Sequence, residues 1–136
     1  MPSLVMLDAS IPIDHFRARN KEGTFYTRIV REYDIRLVSV VAKLEVLYGA
    51  RSESVEYWDA VFATMTVVPF TDAMVKKSHE IVLDLKRKSL LIDMEDIMIA
   101  ATALALKIPL ATLNRKHFNR IDGLILIDND KSHADT

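Results

Sequence analysis

Apolar residues in this chain follow two alternating rhythms, a short continuous run and a longer helical spacing. Leu4 to Leu7 is an uninterrupted apolar run of buried-strand type. Ser10 follows as a helix N-cap, with Pro12 in the first helical turn. Phe25, Ile29 and Tyr33 recur at spacing four and predict an amphipathic helix. Leu37 to Val41 is a second β-rich run, leading into a helical segment from Lys43 to Ala50. Val55, Trp58, Val61 and Phe62 mark another amphipathic helix, and Val67 to Phe70 a short strand. Ala73 to Lys88 reads as a long helix with Val75, Ile81 or Val82, and Leu85 turned inward. Met94 to Lys107 is apolar nearly all round, which predicts a buried helix. Leu110 to Leu113 and Leu124 to Ile127 are the last two strands, and Asp128 opens a polar tail. Strands alternating with helices predict an α/β fold of three layers, α/β/α, with a mainly parallel sheet covered on both faces.

Composition narrows the class. The chain has 136 residues, half of them apolar and 27% charged, enough for one core. Residues 1–128 are therefore expected to form a single domain, with 129–136 as its polar C-terminal tail. The absence of cysteine excludes disulfides, thiolate zinc sites and cysteine nucleophiles, and fits a reducing cytoplasm. The most apolar run, Ile97 to Leu106, is about half of the ~20 residues a membrane helix requires. Met1 to Met6 lacks the basic start and long apolar centre of a secretion signal. A cytoplasmic protein without membrane association is the expectation.

Gly23, Gly49 and Gly123 are isolated from one another, which removes the glycine-rich dinucleotide and phosphate loops. The formal charge of −1 gives no global field for a polyanion, so any such site is local. His15, His79 and His133 lack the spacing of a zinc triad.

Four segments each carry one oxygen-rich side chain toward a candidate shared site: Asp8, Glu45, Asp96 and Asn114. Asp8 ends an apolar strand, while Glu45 and Asp96 lie on otherwise apolar helices. Burying a carboxylate there is expensive unless a cation or a donor compensates it. In an open parallel sheet, binding sites form outside the carboxyl ends of the strands, where Asp8 and Asn114 fall. Ala42, Glu45 and Gly49 share a helix face, so small side chains flank the carboxylate and leave room for an ion. Asp93, Asp96 and Ala100 repeat that spacing at a helix start, where Asp93 is assigned to the cap. A hard divalent cation, Mg²⁺ or Mn²⁺, suits this donor set.

The wording around these residues resembles the PIN-domain ribonucleases, and among them the VapC-type toxins of toxin–antitoxin pairs. The matching pieces are Leu7-Asp8-Ala9-Ser10, Glu45-Val-Leu-Tyr-Gly-Ala50, Asp96-Ile-Met-Ile-Ala-Ala101, Ala111-Thr-Leu-Asn-Arg-Lys-His-Phe118 and Ile121-Asp-Gly-Leu124. The resemblance implies that Asp8, Glu45 and Asp96 are metal ligands and that Asn114 holds a fourth, often acidic, position. Ser10 matches a small polar position beside the first acid. Two departures stand out: Ala9 where the family often has threonine, and a neutral Asn114.

The activity implied is metal-dependent endoribonuclease cleavage. A phosphodiester needs a hydroxide, in-line approach and positive charge at the developing oxyanion, all of which a divalent ion supplies. Arg115 and Lys116, beside Asn114, are the candidate phosphate contacts, with Lys43 secondary. The resemblance further implies RNA as substrate, a homodimer, and silencing by a cognate antitoxin whose basic side chain enters the acidic pocket. Phe25, Tyr26, Tyr57, Trp58 and Phe62 are expected in the core, with a role at an interface as the alternative. Two rival readings are a catalytically idle PIN-like interaction module and a receiver-like Mg²⁺-binding signalling domain. The receiver expects paired acids after the first strand and an aspartate ending a middle strand; Asp8 stands alone and Val67 to Phe70 has none.

Overall fold

Three consecutive residues of the first strand, Val5, Met6 and Leu7, are completely buried in the computed structural model, which describes residues 1–129. This strand, β1 (Leu4–Leu7), lies between β2 (Ile35–Ser39) and β4 (Leu110–Ala111), with β3 (Thr66–Val68) beyond β2. All pairings are parallel, in the order β3-β2-β1-β4, with Leu7 opposite Val38 on one side and Ala111 on the other. Helices cover an inner parallel strand on both faces, which is why β1 reads as an unbroken apolar run.

The helices are α1 (Ser10–Arg17), α2 (Phe25–Glu32), α3 (Val40–Gly49), α4 (Val55–Ala63), α5 (Asp72–Arg87), α6 (Met94–Leu106) and α7 (Arg115–Phe118). Short 3-10 turns at Lys21–Gly23 and Ser52–Ser54 precede α2 and α4. Helix α6 buries six residues between Ile97 and Ala103 and packs against α5 and α3, as its apolar circumference requires. Phe25, Trp58 and Phe62 join the core, Tyr26 packs against it, and Tyr57 stays more open. No helix among the described residues is long and apolar enough to cross a membrane.

Local hydrogen bonds move several expected boundaries. The second strand ends at Ser39, two residues before the expected Val41, because the Ser39 hydroxyl accepts the Val41 N–H at 3.1 Å and starts α3 at Val40 rather than Lys43. Ser10 is the first residue of α1 rather than its cap; Ala9 holds the cap position and the Ser10 side chain serves Asp8. In α5 the buried stripe is Met74, Ile81 and Leu85, whereas Val75 is 51% exposed. The fourth strand stops at Ala111, since the Leu113 and Asn114 N–H groups turn to side-chain hydroxyls. The expected strand at Leu124–Ile127 reduces to one parallel bridge, Leu110 to Leu126, flanked by backbone bonds of 2.9 and 2.8 Å. The expected tail beyond Asn129, including His133, lies outside the described residues.

The chain winds from β1 outward through β2 to β3, then returns to place β4 on the opposite flank of β1. Strand order therefore reverses between β1 and β4. A crevice forms outside the carboxyl ends of strands at such a point.

Candidate active site

Asp8 follows β1 at that crevice and is 4% exposed. Both carboxylate oxygens are held. Oδ1 accepts the Ser10 N–H at 3.1 Å and the Ser10 hydroxyl at 2.5 Å, while Oδ2 accepts the Thr112 hydroxyl at 2.5 Å. Each hydroxyl is fixed in turn by the β4 side of the crevice. Ser10 Oγ accepts the Leu113 N–H at 3.0 Å and Thr112 Oγ1 accepts the Asn114 N–H at 2.9 Å. Asp8 is thus locked by two bridges that tie the end of β1 to the turn after β4.

Burial nevertheless outweighs these donors and pushes Asp8 up to about 6, with the negative charge of Asp96 adding to the rise. Glu45 is pushed up to about 7, first by burial and then by the charges of Asp96, Glu95, Asp8 and Asp93. Asp96 is also raised, first by burial; contact with His117 opposes the rise, and Asp93 and Glu95 add to it. Asp8 and Glu45 both feel the charge of Asp96, so the fold gathers the three acids into one field of like charge.

Glu45 comes from α3, where Ala42 is buried and the space beside Gly49 is open, as the spacing of small residues predicts. Its Oε1 is enclosed without a hydrogen-bond partner among the described residues. A buried carboxylate oxygen without a donor is costly, and an added cation relieves that cost. Three hard oxygen donors, one of them orphaned, therefore match a hard divalent ion in chemistry. They are not drawn into a finished cage: among the described residues no three His, Asp or Glu side chains are arranged to hold an ion. Mutual repulsion opposes closer approach until positive charge is supplied.

Asp93 occupies the N-cap position of α6 with extended backbone, φ −62° and ψ 147°, yet its side chain makes no capping hydrogen bond. Its assignment to the cap is correct in position and not in bonding. Asn114 caps α7 in position only; its amide lies 2.8 Å from His117 Nδ1. That same Nδ1 is 3.5 Å from Asp96 Oδ2. One nitrogen cannot accept from Asn114 and donate to Asp96 together. The tautomer therefore decides the partner: a bare Nδ1 accepts from the Asn114 amide, and an Nδ1–H donates to Asp96.

Arg115, Lys116 and His117 lie in α7. Arg115 Nη1 donates to the Ile127 carbonyl at 2.8 Å, while Lys116 is exposed. Lys43 sits over the Phe62 ring at 5.4 Å. The residue that sequence reasoning missed is Thr112. Its signal is a lone hydroxyl inside the apolar run Leu110 to Leu113, two positions before Asn114.

Comparison with known proteins agrees with this architecture. The PIN domain model matches residues 5–124, and the chain belongs to that family. Ribonuclease VapC1 of Methanocaldococcus jannaschii is 28% identical over 120 residues, covering 88% of this chain and 82% of the relative. Ribonuclease VapC1 of Rickettsia felis is 30% identical over 112 residues, covering 76% and 84%. Among solved structures, VapBC2 from Rickettsia felis, bound to a DNA fragment from its promoter, superposes with a TM-score of 0.79 at 23% identity. It covers 93% of this chain and 99% of that one. The receiver-like reading has no support here.

Proposed function

We propose that this protein is a divalent-metal-dependent endoribonuclease of the VapC type, the toxin of a type II toxin–antitoxin pair acting in the cytoplasm. The carrying observation is the cluster of Asp8, Glu45 and Asp96 at the strand ends of a PIN-domain chain, with Asp8 and Glu45 pushed up to about 6 and 7. VapC ribonucleases among its relatives favour RNA as the substrate. Residues 1–128 are taken as the catalytic unit.

Bound Mg²⁺ or Mn²⁺ would supply a hydroxide near neutral pH and positive charge for the developing oxyanion. Asp8, Glu45 and Asp96 would hold it. Asp8 contributes the fixed point, because Ser10 and Thr112 leave its carboxylate no rotational freedom. Glu45 contributes an oxygen that has no other partner among the described residues. Asn114 orients His117 beside Asp96, and Ser10 lines the same end of β1. Lys116 is exposed and free to meet phosphate; Arg115 retains further N–H donors beyond its bond to Ile127. The family also favours a homodimer and an antitoxin cation that competes with the metal for the acids.

Asp96→Asn and Glu45→Gln are expected to fold normally and to lose Mn²⁺-dependent RNA cleavage by at least about a hundredfold. Thermal melting should show the metal stabilising the natural chain and not Asp8→Asn, since a ligand of the folded state raises its stability. Full cleavage by purified Asp96→Asn, or no metal-dependent rise in melting temperature, would overturn the reading.

A further inference from the structure

A cavity of about 460 Å³ opens between α1, α3 and α4, and Glu45 forms part of its wall. Asp8 and Asp96 do not line it, so it adjoins the acidic cluster without being part of it. Its chemistry differs from that of the cluster. On one side stands Phe16, 40% exposed, braced by Tyr57 and Trp58 at ring-centroid distances of 5.0 and 5.2 Å. Arg17 and Arg51 stand at the same cavity. Arg17 makes no ion pair or side-chain hydrogen bond among the described residues. Arg51 has only a solvent-exposed contact of 4.0 Å with Glu53, worth little to either. Gly49 leaves its stretch of wall open, with nothing within 4 Å of where a Cβ would stand.

An aromatic face held at a fixed angle, one unpaired guanidinium group, a second held only loosely by Glu53, and room for a planar ring together describe a ligand that is flat at one end and anionic at the other, its anionic end on the arginine side and away from Glu45 and Glu53. A nucleotide has that form. Unstacked RNA bases stack on aromatic rings and guanidinium planes, and arginine binds phosphate through paired N–H donors. A basic peptide segment would meet Glu45 and Glu53 but would also bring its charge against Arg17 and Arg51. We propose that this cavity binds a nucleotide flanking the scissile phosphodiester, with Phe16 stacking its base and Arg17 and Arg51 holding its phosphate. The placement beside a scissile bond rests on the ribonuclease reading.

The test uses the chain's single tryptophan, Trp58, which packs on Phe16 and lines the cavity. In chelator, adenosine 5′-monophosphate should change Trp58 emission saturably. Arg17→Ala/Arg51→Ala, altered only at exposed positions and checked by circular dichroism, should weaken that binding about tenfold. With Mn²⁺ and single-stranded RNA, the double variant should raise KM about tenfold while kcat stays within about twofold. An unchanged KM together with no nucleotide signal overturns the subsite and leaves the nuclease standing. No cleavage by the natural chain sinks the nuclease, and with it the placement beside a scissile bond. An unchanged KM with lost capture of the antitoxin assigns the cavity to a protein partner and equally overturns the proposal.

Discussion

Replacing Asp8 with asparagine should abolish cleavage and yet stabilise the metal-free protein at alkaline pH. Asp8 is buried and pushed up to about 6 from an ordinary value near 3.8. A shift of about two units corresponds to roughly 3 kcal/mol at 1.36 kcal/mol per unit. Between the unfolded and folded values the folded state binds the extra proton, so stability falls as pH rises through that window and is flat above it. Glu45, raised to about 7, acts in the same direction at slightly higher pH, and removing the Asp8 charge eases part of that rise in the variant.

Asparagine removes the ionisation and keeps an oxygen for the Ser10 donors. It places an amide where Oδ2 accepted the Thr112 hydroxyl, at a cost of about 1 to 1.5 kcal/mol. The net gain at pH 8 is about 1.5 kcal/mol, or a rise of about 5 °C in Tm. At pH 5 the natural carboxyl is largely protonated, and the natural chain should match or exceed the variant. Urea unfolding in chelator from pH 4.5 to 8.5 reads the difference directly, and adding Mn²⁺ should reverse the order at pH 8. A variant less stable than the natural chain at pH 8 in chelator, or a difference independent of pH, would refute the reasoning.

Thr112→Val should cost about 2 kcal/mol, because it removes the donor to Asp8 Oδ2 and leaves the Asn114 N–H without its acceptor, whereas Thr112→Ser should recover most of the loss. Urea midpoints check this; a loss under about 0.5 kcal/mol contradicts the bridge. Asp93→Ala should change stability by no more than about 0.5 kcal/mol, since only its charge near the start of α6 is lost and no capping bond exists. The same variant should keep most of its RNA cleavage, and a complete loss with stability intact would place Asp93 among the metal ligands.

Periodicity in the chain determined the alternation of strand and helix, the burial of β1 and α6, and the placing of Asp8, Glu45 and Asp96 in apolar surroundings. Those features are local consequences of side-chain type: a continuous apolar run cannot face water on either side, and an acid set in such a run invites compensation. Element ends were less legible. Ser39 converts Val40 and Val41 from strand to helix through one hydroxyl, and the Leu124–Ile127 run contributes a single bridge. A hydrogen bond across few residues, or the edge of a sheet, decides such cases without altering the hydrophobic pattern.

Only the tertiary structure decided how the site is built. The order β3-β2-β1-β4 sets Asp8 beside Thr112, 104 positions away in sequence, and turns Ser10 from a helix cap into a donor to the acid. The same packing directs Arg115 to the Ile127 carbonyl and leaves Glu45 Oε1 without a partner among the described residues. Sequence fixes which groups are available, while burial and proximity, which set their charge and their partners, arise only once distant segments share one crevice.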